Sequence, residues 1–176
     1  MLTLQGRNIK LRALEPEDLE FIYEIENNED LWELSSTQTP YSKFLIKQYL
    51  ENAHLDIFEV KQLRLVIEDF QQNSLGLIDI FDFEPQHHRA AIGILIAETE
   101  NRQKGIGSEA LQLLCNYAFS HLKMHQLYAG VSEENVVSQK LFQQQGFVKT
   151  GKKKDWNLVN GIYKTEYLYQ LINNVY

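Results

Sequence analysis

The sequence predicts an α/β (α+β) fold in which helices pack on a mixed sheet with several antiparallel members. Three observations support this class. Strand-like and helical periods follow one another in the order β-α-α-β-β-β-α-β-α-β-β. Two turn signals, at residues 71–73 and 160–161, join neighbouring strands as hairpins. The 176 residues contain no repeat, low-complexity tract or linker, so one domain over residues 1–176 is expected.

The elements of the first half follow from the hydrophobic period and from one helix-start signal. Residues 8–14 alternate apolar and polar side chains, as a half-buried strand does. Pro16 at a first helical position, with acidic residues behind it, predicts a helix to about residue 27. The other expected elements of this half are a helix over residues 43–54 and strands over residues 63–68 and 75–81.

The second half alternates strands and helices around one unusually apolar segment. Residues 90–97 are apolar on both faces, which favours a central strand that is covered on both sides. Asn160-Gly161 is the strongest short hairpin signal in the chain, because these residue types accept the positive φ angles of a two-residue turn. The other expected elements are helices over residues 108–122 and 134–145 and strands over residues 127–131, 147–156 and 163–171.

The charge balance and the cysteine content exclude several classes of function. Lysine and arginine number 17 against 24 aspartates and glutamates, so the formal net charge is −7. A net anion is a poor general partner for nucleic acid or anionic lipid, both of which need a basic face, whereas it suits a cationic partner. Cys115 is the only cysteine, so an internal disulfide and a multi-thiolate zinc site are excluded, and we expect no metal.

No part of the sequence is typical of a membrane or targeting segment. The longest apolar run is far shorter than the roughly 18 residues that a membrane-spanning helix needs. The first ten residues lack the continuous apolar stretch and the small-residue cleavage site of a signal peptide. We therefore expect a cytoplasmic protein with no membrane partner.

The segment between the strand at 90–97 and the helix at 108–122 is the part of the chain most indicative of chemistry. Its polar loop ends in Arg102-Gln103-Lys104-Gly105-Ile106-Gly107. Glycines at such a position let the backbone come close to a ligand, and a helix start supplies unpaired N–H groups and partial positive charge. Two cations lie in the same loop, so it is a candidate site for a phosphate or pyrophosphate. A plain solvated turn is the alternative interpretation.

Two nucleotide-binding motifs fit this loop less well. A P-loop is excluded because the chain contains no G-x-x-x-x-G-K-[ST]. Residues 105–110 have the literal pattern G-x-G-x-x-A of a dinucleotide-binding fingerprint, which leaves a nicotinamide-binding domain as a rival interpretation. In that fold the first glycine follows the strand almost at once, whereas residues 98–104 intervene here.

Arg102-x-x-Gly105-x-Gly107 resembles the acyl-CoA-binding signature, Q/R-x-x-G-x-G/A, of the GNAT superfamily of N-acetyltransferases. The resemblance covers about residues 9–169. It implies a single-domain fold with a mixed, mostly antiparallel sheet of about seven strands, splayed to admit CoA and flanked by about four helices.

A second block of residues follows at the spacing that this family uses. It consists of Asn135, Ser138 and the pair Gly146-Phe147. Residues 8–18 and 160–163 further resemble the branch of the family that holds spermidine/diamine acetyltransferases and ribosomal-protein alanine acetyltransferases. The signature and the second block together are a specific combination, whereas the signature alone is a weak one.

By this resemblance the co-substrate is acetyl-CoA. Backbone groups of Leu95, Ile96 and Ala97 would bind the pantetheine amides and the thioester oxygen. A fixed N–H aimed at a developing oxyanion lowers the barrier to acetyl transfer. The other expected cofactor-binding residues are Arg102, Gln103, Lys104, Gly105, Ile106 and Gly107 around the pyrophosphate, and Asn135, Ser138 and Phe142 on the far side.

Acetyl transfer needs a neutral amine, although a free primary amine with a pKa of about 10.4 is mostly protonated at pH 7. A base or a water chain is therefore expected. Glu98 directly follows the cofactor strand, and Asp79 and Asp82 lie on or just beyond the strand at 75–81. Each is a candidate catalytic base, and at each position a merely solvated carboxylate is the alternative.

The residue at the position of the usual general acid, which protonates the leaving thiolate, differs from the family pattern. Members usually carry a tyrosine seven residues after the asparagine, and here that position is Phe142, which has no proton to give. We expect Phe142 to keep the packing role of the tyrosine ring. The proton would then come from water, from Ser138 or Tyr163, or from the amine itself.

The acceptor side is expected to lie in the N-terminal part of the chain. Nine carboxylates and no lysine or arginine occur between residues 15 and 33. Such a surface would concentrate a polycation such as spermidine, and an ordinary charged helix face is the alternative. Glu26 and Asp82 are candidate ligands for the amine. Trp32 and Tyr41 are candidate pocket residues, through cation–π contact or simple packing.

The sequence therefore predicts an N-acetyltransferase that acts by direct attack of a primary amine in a ternary complex. The acceptor is a diamine or polyamine, or alternatively a protein N-terminus of the ribosomal-alanine type. Gln38-Thr39, where spermidine enzymes often carry acids, argues against a polyamine. A member that binds acyl-CoA as a sensor without turnover is a further alternative, which Phe142 supports. A homodimer or larger homo-oligomer is expected from the family alone.

Three other groups of residues are expected to be structural. Cys115 lies in the middle of a predicted helix, where a buried thiol is the ordinary case. His87 and His88 are consecutive and point in opposite directions in an extended chain, so they make a poor metal pair. The three lysines at residues 152–154 are expected to form a solvated bend.

Overall fold

The computed structural model describes residues 4–98, 100 and 104–174. Its strands are β1 (Ile9–Ala13), β2 (Leu63–Asp69), β3 (Ser74–Glu84), β4 (Arg89–Ile96), β5 (Gln126–Ser132), β6 (Val148–Val159) and β7 (Ile162–Ile172). They form one sheet in the order β1-β2-β3-β4-β5-β7-β6. Strands β4 and β5 pair in parallel, and the other neighbours pair antiparallel. The predicted mixed, mostly antiparallel sheet of seven strands is confirmed.

Six α-helices occur in the described part of the chain, two more than predicted. They are α1 (Leu19–Glu26), α2 (Trp32–Ser35), α3 (Lys43–Glu51), α4 (Ile57–Val60), α5 (Ile106–Ser120) and α6 (Val136–Gln144). The two additional helices, α2 and α4, have four residues each, and a single turn is too short to show a helical hydrophobic period. The predicted first helix begins with a 3₁₀ turn, Pro16–Asp18, before α1.

The sheet has an apolar core on each face. Helix α5 covers one face, where Leu111 and Leu114 are fully buried. Helices α1 and α3 cover the other face, where Ile22 and Ile46 pack over the sheet. Strand β4 is the fourth of seven strands, so its predicted central position is confirmed. Its apolar character on both faces follows, because successive side chains of a strand point to opposite sides.

Strands β4 and β5 separate along their length. The register pairs that join them are Arg89↔Gln126, Ala90↔Leu127 and Ala91↔Tyr128. No further pair joins the described residues of the two strands, although each stays paired with its other neighbour. The sheet is therefore split between its two parallel strands. The split is closed at Ala91 and Tyr128 and open toward the carboxyl ends of both strands.

The hairpin of β6 and β7 confirms the turn predicted at Asn160-Gly161, whose φ angles are 50° and 78°. The three lysines at residues 152–154 differ from the expectation, because they lie within β6 and do not form a solvated bend. Lys152 and Lys153 form ion pairs with Glu133 and Glu166. Strand β6 is an edge strand, and edge strands tolerate charged side chains that a central strand would exclude.

A charged cluster ties β1 to β2 and to the start of α1. Arg12 donates to both carboxylate oxygens of Asp18 at 2.8 Å and also to Glu68, which Lys10 approaches at 2.8 Å. Burial alone would raise the pKa of Asp18. Hydrogen bonds from Arg12 and from the backbone N–H of Glu15 outweigh burial and hold the pKa below its ordinary value.

This cluster makes stability depend on pH. Because the pKa of Asp18 is lowered in the folded state, its contribution is complete above the unfolded-state pKa of about 3.9 and is lost as the pH falls through the folded value. We expect Asp18→Asn to cost about 2 kcal/mol at neutral pH and to flatten the acid limb of the free energy of unfolding. Urea denaturation across the acid range measures both. If the acid limb were unchanged, the loss of stability at acid pH would have to come from other carboxylates.

Candidate active site

A cavity of about 930 Å³ lies on the α1 and α3 side of the sheet, over the split between β4 and β5. Side chains of neighbouring strands form its floor, and α1, α3 and the segment between them form its roof. Among the floor residues are Arg64, Asp79, Gly93, Tyr128 and Glu166. The volume is typical of a small-molecule site, and the cavity connects the helices of the predicted acceptor side with the split.

A largely buried arginine organises the carboxylates at one end of this cavity. Arg64 donates to Asp79 through two hydrogen bonds of 2.9 and 3.0 Å and to Glu26 through a third of 2.9 Å. Burial would lower the pKa of Arg64, but the adjacent carboxylates outweigh it and raise the pKa above its ordinary value. Asp79, a candidate base, is therefore engaged in an ion pair and is poorly placed to take a proton from an amine.

Asp82 reaches the same cavity through an irregularity in β3. The register of β3 with β4 shifts between Phe81 and Glu84. Asp82 has a φ of 45°, a backbone conformation that residues other than glycine rarely adopt. Such a bulge re-aims the side chain beside it. The Asp82 carboxylate is exposed, lines the cavity and makes no hydrogen bond or ion pair with another described residue. Among the candidate bases, it is the one available to an amine in the cavity.

Tyr128 lies at the closed end of the split, opposite Ala91, and also lines the cavity. Burial raises the pKa of its phenol, and the carboxylates of Asp82 and Glu84 raise it further, against a smaller opposite effect of Arg89. The phenol is therefore protonated at neutral pH. A proton donor and a proton acceptor thus lie near each other where the split begins.

Along β4, every second residue directs its backbone N–H and C=O groups toward the split. The N–H of Ala97 donates to the carbonyl oxygen of Leu75 in β3 at 2.9 Å. Because the direction alternates along a strand, Leu95 and Ala97 turn their backbone groups toward β3, whereas Ile94 and Ile96 turn theirs toward β5. Ile96 therefore has the expected orientation, and the structure differs from the expectation at Leu95 and Ala97. Ile94 lies three residues beyond the last β4–β5 pair.

Helix α5 begins beside the open part of the split. Gly105 is its N-cap residue, with a φ of 81° that suits glycine. A Cβ on Gly107 would lie 3.5 Å from Leu141 and 3.7 Å from Ile94, which is ordinary van der Waals contact, so α5 meets α6 and β4 at this residue. The N–H groups of the first turn have no acceptor within the helix, which is the property that the predicted anion site requires.

The rest of the expected phosphate loop is only partly described. Ile106 begins α5 and is half-buried, and Lys104 is exposed just before the helix. Arg102 and Gln103 lie outside the described residues.

Helix α6 begins on the other side of the split. Asn135 is its N-cap, and the side-chain oxygen accepts a hydrogen bond from the N–H of Ser138 at 3.1 Å. The side-chain NH₂ of Asn135 is left as the group that could donate to a cofactor. Ser138 lies in the first turn and is half-buried. The starts of α5 and α6 therefore flank the open end of the split.

Phe142 is a core residue of α6. It is 4% exposed and packs edge to face on Phe147, with ring centroids 5.1 Å apart. It is not among the residues that line the cavity. This placement agrees with a packing role for the ring.

We expect Phe142→Tyr to leave turnover unchanged and to lower the melting temperature. The added hydroxyl would enter an apolar environment, at a cost of about 1 to 3 kcal/mol. Thermal unfolding and the rate of thiol release measure the two effects. A tyrosine variant with faster turnover would contradict the packing role. So would Phe142→Ala if it abolished chemistry with cofactor affinity intact, because lost packing should first weaken binding.

Cations from elsewhere in the chain neutralise part of the acidic segment at residues 15–33. Its ion pairs are Arg12–Asp18, Lys43–Glu20, Arg64–Glu26 and Lys164–Glu33. Glu26 is the member that lines the cavity. The negative charge near an acceptor therefore comes from the cavity wall more than from a continuous acidic surface.

The two expected aromatic residues of the acceptor side differ in position. Tyr41 lines the cavity, and its backbone is held by the side chain of Asn27 through hydrogen bonds of 2.8 and 3.0 Å. Trp32 instead donates its indole N–H to the carbonyl oxygen of Glu26 at 2.9 Å and is not among the lining residues. The structure thus places Tyr41, and not Trp32, where an amine could contact it.

Two further candidates lie away from the cavity. Glu98 is exposed beyond the end of β4, and Tyr163 is 62% exposed on β7; neither lines the cavity. Burial raises the pKa of the Cys115 thiol to about 12, so it is not a nucleophile at neutral pH.

The described residues contain no group of three or more histidines, cysteines and carboxylates that could hold a metal ion. None of the described helices has the length and apolar character needed to cross a membrane. His88 uses its Nδ1 in a hydrogen bond of 2.9 Å with the carbonyl oxygen of Lys123.

Known proteins are similar to this chain in sequence. The family model of the acetyltransferase (GNAT) domain matches residues 8–148. The spermidine N(1)-acetyltransferase of Vibrio cholerae is 32% identical over 156 residues, which cover 89% of this chain and 88% of that protein. The putative ribosomal N-acetyltransferase YdaF of Bacillus subtilis is 28% identical over 176 residues, covering 95% and 92%.

Solved structures of similar proteins have the same fold. The crystal structure of the Vibrio cholerae spermidine N-acetyltransferase in complex with CoA and spermine has a TM-score of 0.84 at 29% identity, covering 95% of this chain and 96% of that one. A dodecameric structure of the Vibrio cholerae enzyme has a TM-score of 0.79 at 29% identity and covers 95% of each chain. The chain therefore belongs to the GNAT acetyltransferase family and is an acetyl-CoA-dependent N-acetyltransferase. The family predicted from the signature is confirmed.

Several residues of the cavity escaped the sequence analysis. Arg64 stands in the otherwise apolar run 63–67, and a charged residue in a buried strand requires a partner, so this signal was available. Tyr128 gave no such signal, because a tyrosine in a strand is ordinary packing. Trp156 and Glu166 lie on the hairpin that folds back to the cavity wall, and only the fold brings them there.

Proposed function

We propose that the protein transfers the acetyl group of acetyl-CoA to a primary amine of a polyamine such as spermidine. The observation that carries the proposal is the charge of the cavity over the split. Its charged lining residues are Glu26, Asp79, Asp82 and Glu166 against Arg64 and Lys153. Such an excess of carboxylates attracts a polycation. The similarity to the Vibrio cholerae enzyme, whose structure holds CoA and spermine, supports the same acceptor class.

The split and the two helix starts fit acetyl-CoA in shape and charge. The backbone of Ile94 would bind the pantetheine arm, since it is turned into the split. The N–H groups at the start of α5 and the ammonium of Lys104 would bind the pyrophosphate, and Asn135 would donate from α6. When bound, acetyl-CoA supplies a thioester that an amine can attack.

The chain's own residues would then handle the protons. Asp82 accepts a proton from the incoming ammonium, which leaves the amine neutral and nucleophilic. The N–H of Ile94 donates to the acyl oxygen, where negative charge develops. The amine nitrogen then bonds to the acyl carbon, and as the C–S bond breaks Tyr128 donates its phenolic proton to the leaving sulfur. The second proton that the nitrogen must lose passes to the Tyr128 phenolate and restores the phenol, and Asp82 releases its proton to solvent.

Acetylation of a protein N-terminus is the second candidate. The similarity to the putative ribosomal N-acetyltransferase YdaF supports it. So do the neutral residues Gln38 and Thr39, which are exposed in the segment between Thr37 and Tyr41, two residues that line the cavity. A peptide N-terminus carries one ammonium, so it gains less than a polyamine from several carboxylates.

Thiol release from acetyl-CoA tests these candidates directly. The acceptors are putrescine, spermidine and spermine, and peptides with a free N-terminal alanine or serine. We expect release with the polyamines only. Release with the peptides only would favour the second candidate. If no acceptor gives thiol release, while acetyl-CoA but not NADH raises the melting temperature, the result would favour a sensor without turnover.

We also propose that the protein forms a homo-oligomer, as the dodecameric Vibrio cholerae relative does. Apolar side chains on the edge hairpin support this, since Val148, Leu158 and Ile162 are 63%, 58% and 65% exposed. Analytical ultracentrifugation would measure the oligomeric state, and a monomer at micromolar concentration would contradict the proposal.

A further inference from the structure

We propose that Glu166 and Trp156 form a binding site for a second ammonium group of the acceptor, and that Lys153 occupies this site while no acceptor is bound. The inference rests on the proposed function and adds to it a residue-level basis for choosing a diamine or polyamine over a monoamine. The occupant is identified by its chemistry, an alkylammonium.

The site forms one wall of the cavity, on the side away from Arg64. Lys153 and Trp156 come from β6, Glu166 comes from β7, and Gly130 of β5 lies beneath the carboxylate. All four residues line the cavity. Lys153 and Glu166 are direct register partners, so their ion pair is built into the hairpin.

The chain's own lysine shows which ligand chemistry this wall accepts. The Nζ of Lys153 lies 3.2 Å from a carboxylate oxygen of Glu166 and 4.8 Å from the centroid of the Trp156 ring. A carboxylate and an indole face are the two groups that best attract an alkylammonium. The end of a polyamine is the same group, a primary ammonium on a methylene chain.

Two local irregularities create this arrangement. The register of β6 with β7 shifts between Lys153 and Asn157, and Asp155 has a φ of 52°; such a bulge re-aims the neighbouring side chains. On the floor, a Cβ at position 130 would lie 2.6 to 2.8 Å from the carboxylate atoms of Glu166. Gly130 therefore leaves the space in which the carboxylate lies.

The lysine can leave this site, whereas the arginine at the other end of the cavity cannot. One bond of 3.2 Å joins Lys153 to Glu166, and their side chains are 37% and 19% exposed. Arg64 makes three hydrogen bonds to Asp79 and Glu26. Exposed single ion pairs are weak, and a lysine on an edge strand can swing into solvent. An entering ammonium would then replace Lys153 without leaving Glu166 unpaired.

The test is the affinity for a diamine relative to a monoamine. Isothermal titration in the presence of CoA would give the Kd of butane-1,4-diamine, spermidine and butan-1-amine for each variant. We expect Glu166→Gln to raise the Kd of the diamine about tenfold more than that of the monoamine. Lys153→Met should lower the Kd of the diamine several-fold, since it removes the internal competitor.

Lys152→Met is the matched control. It removes the same charge from the adjacent position, and Lys152 pairs with Glu133 outside the cavity. We expect the ratio of the two Kd values to stay as in the parent protein. Thermal unfolding with and without acetyl-CoA identifies any variant that fails to fold, and Lys153→Arg, which retains a cation, then serves as the milder variant and should keep the diamine Kd at or above the parent value.

The outcomes separate this inference from the proposed function. Equal shifts for the diamine and the monoamine in Glu166→Gln and Lys153→Met would overturn the inference, because they would reflect only the general charge of the cavity. The same holds if Lys152→Met matches Lys153→Met. A diamine-specific shift in a protein that releases no thiol with any amine would support the site and overturn the proposed function.

Discussion

Asp82→Asn should lower kcat/KM for the polyamine by about 100-fold, with the affinity for acetyl-CoA unchanged. The expected size is the lower end of what a general base contributes. The asparagine keeps the shape of the side chain at the β3 bulge but cannot take a proton from the ammonium. Steady-state thiol release and isothermal titration with acetyl-CoA measure the two quantities.

Glu84→Gln is the matched control for this prediction. Glu84 lies two residues further along β3 and pairs with Arg89 at 2.9 Å, but it does not line the cavity. We expect its effect to be small. Glu98→Gln tests the remaining candidate base. A large loss of kcat/KM in Glu98→Gln, together with normal activity in Asp82→Asn, would identify Glu98, beyond the end of β4, as the base.

Arg64→Met should destabilise the protein by about 3 to 5 kcal/mol, the range for removing one partner of a buried ion pair. Methionine replaces the aliphatic stem, but Glu26 and Asp79 then share a half-buried end of the cavity with no cation. The loss should appear as a lower free energy of unfolding at neutral pH, because both carboxylates then lack their partner. Urea denaturation measures this.

The control for Arg64→Met is Lys43→Met. Lys43 pairs with Glu20 on the exposed surface, where ion pairs contribute little, so its unfolding curve should stay close to that of the parent protein. Arg64 also packs on Tyr49, whose ring centroid lies 5.7 Å from the guanidinium carbon. A loss in Arg64→Met no larger than that in Lys43→Met would contradict the prediction.

Most of the fold was predictable because each element left a local pattern. The alternation in residues 8–14, and the positive-φ pair Asn160-Gly161, are contained in a few consecutive residues. The short helices α2 and α4 were missed because four residues cannot show a period. The prediction of a solvated bend at the lysines of β6 was wrong because an edge strand accepts charged side chains. The sequence alone does not show that β6 is an edge strand.

The cofactor side was more predictable than the acceptor side. The anion site predicted at the start of α5 rests on glycines and cations that are neighbours in the chain. The direction of the β4 backbone does not, because it depends on one bond from Ala97 to Leu75 in another strand. Because of that bond, Leu95 and Ala97 direct their backbone groups toward β3, whereas Ile94, which was not predicted, and Ile96, which was, direct theirs toward β5.

The order of residues along the chain was thus sufficient for the family and for the sheet with its hairpins, since these depend on motifs, spacings and periods within the sequence. Which carboxylates are paired and which remain available required the tertiary structure. Glu26 meets Arg64 across 38 residues, and Glu33 meets Lys164 across 131. Both pairs join a helix residue to a strand residue, so they form only when α1 and α2 pack over the sheet. Asp82 is left available to an amine because the bulge in β3 aims it into the cavity.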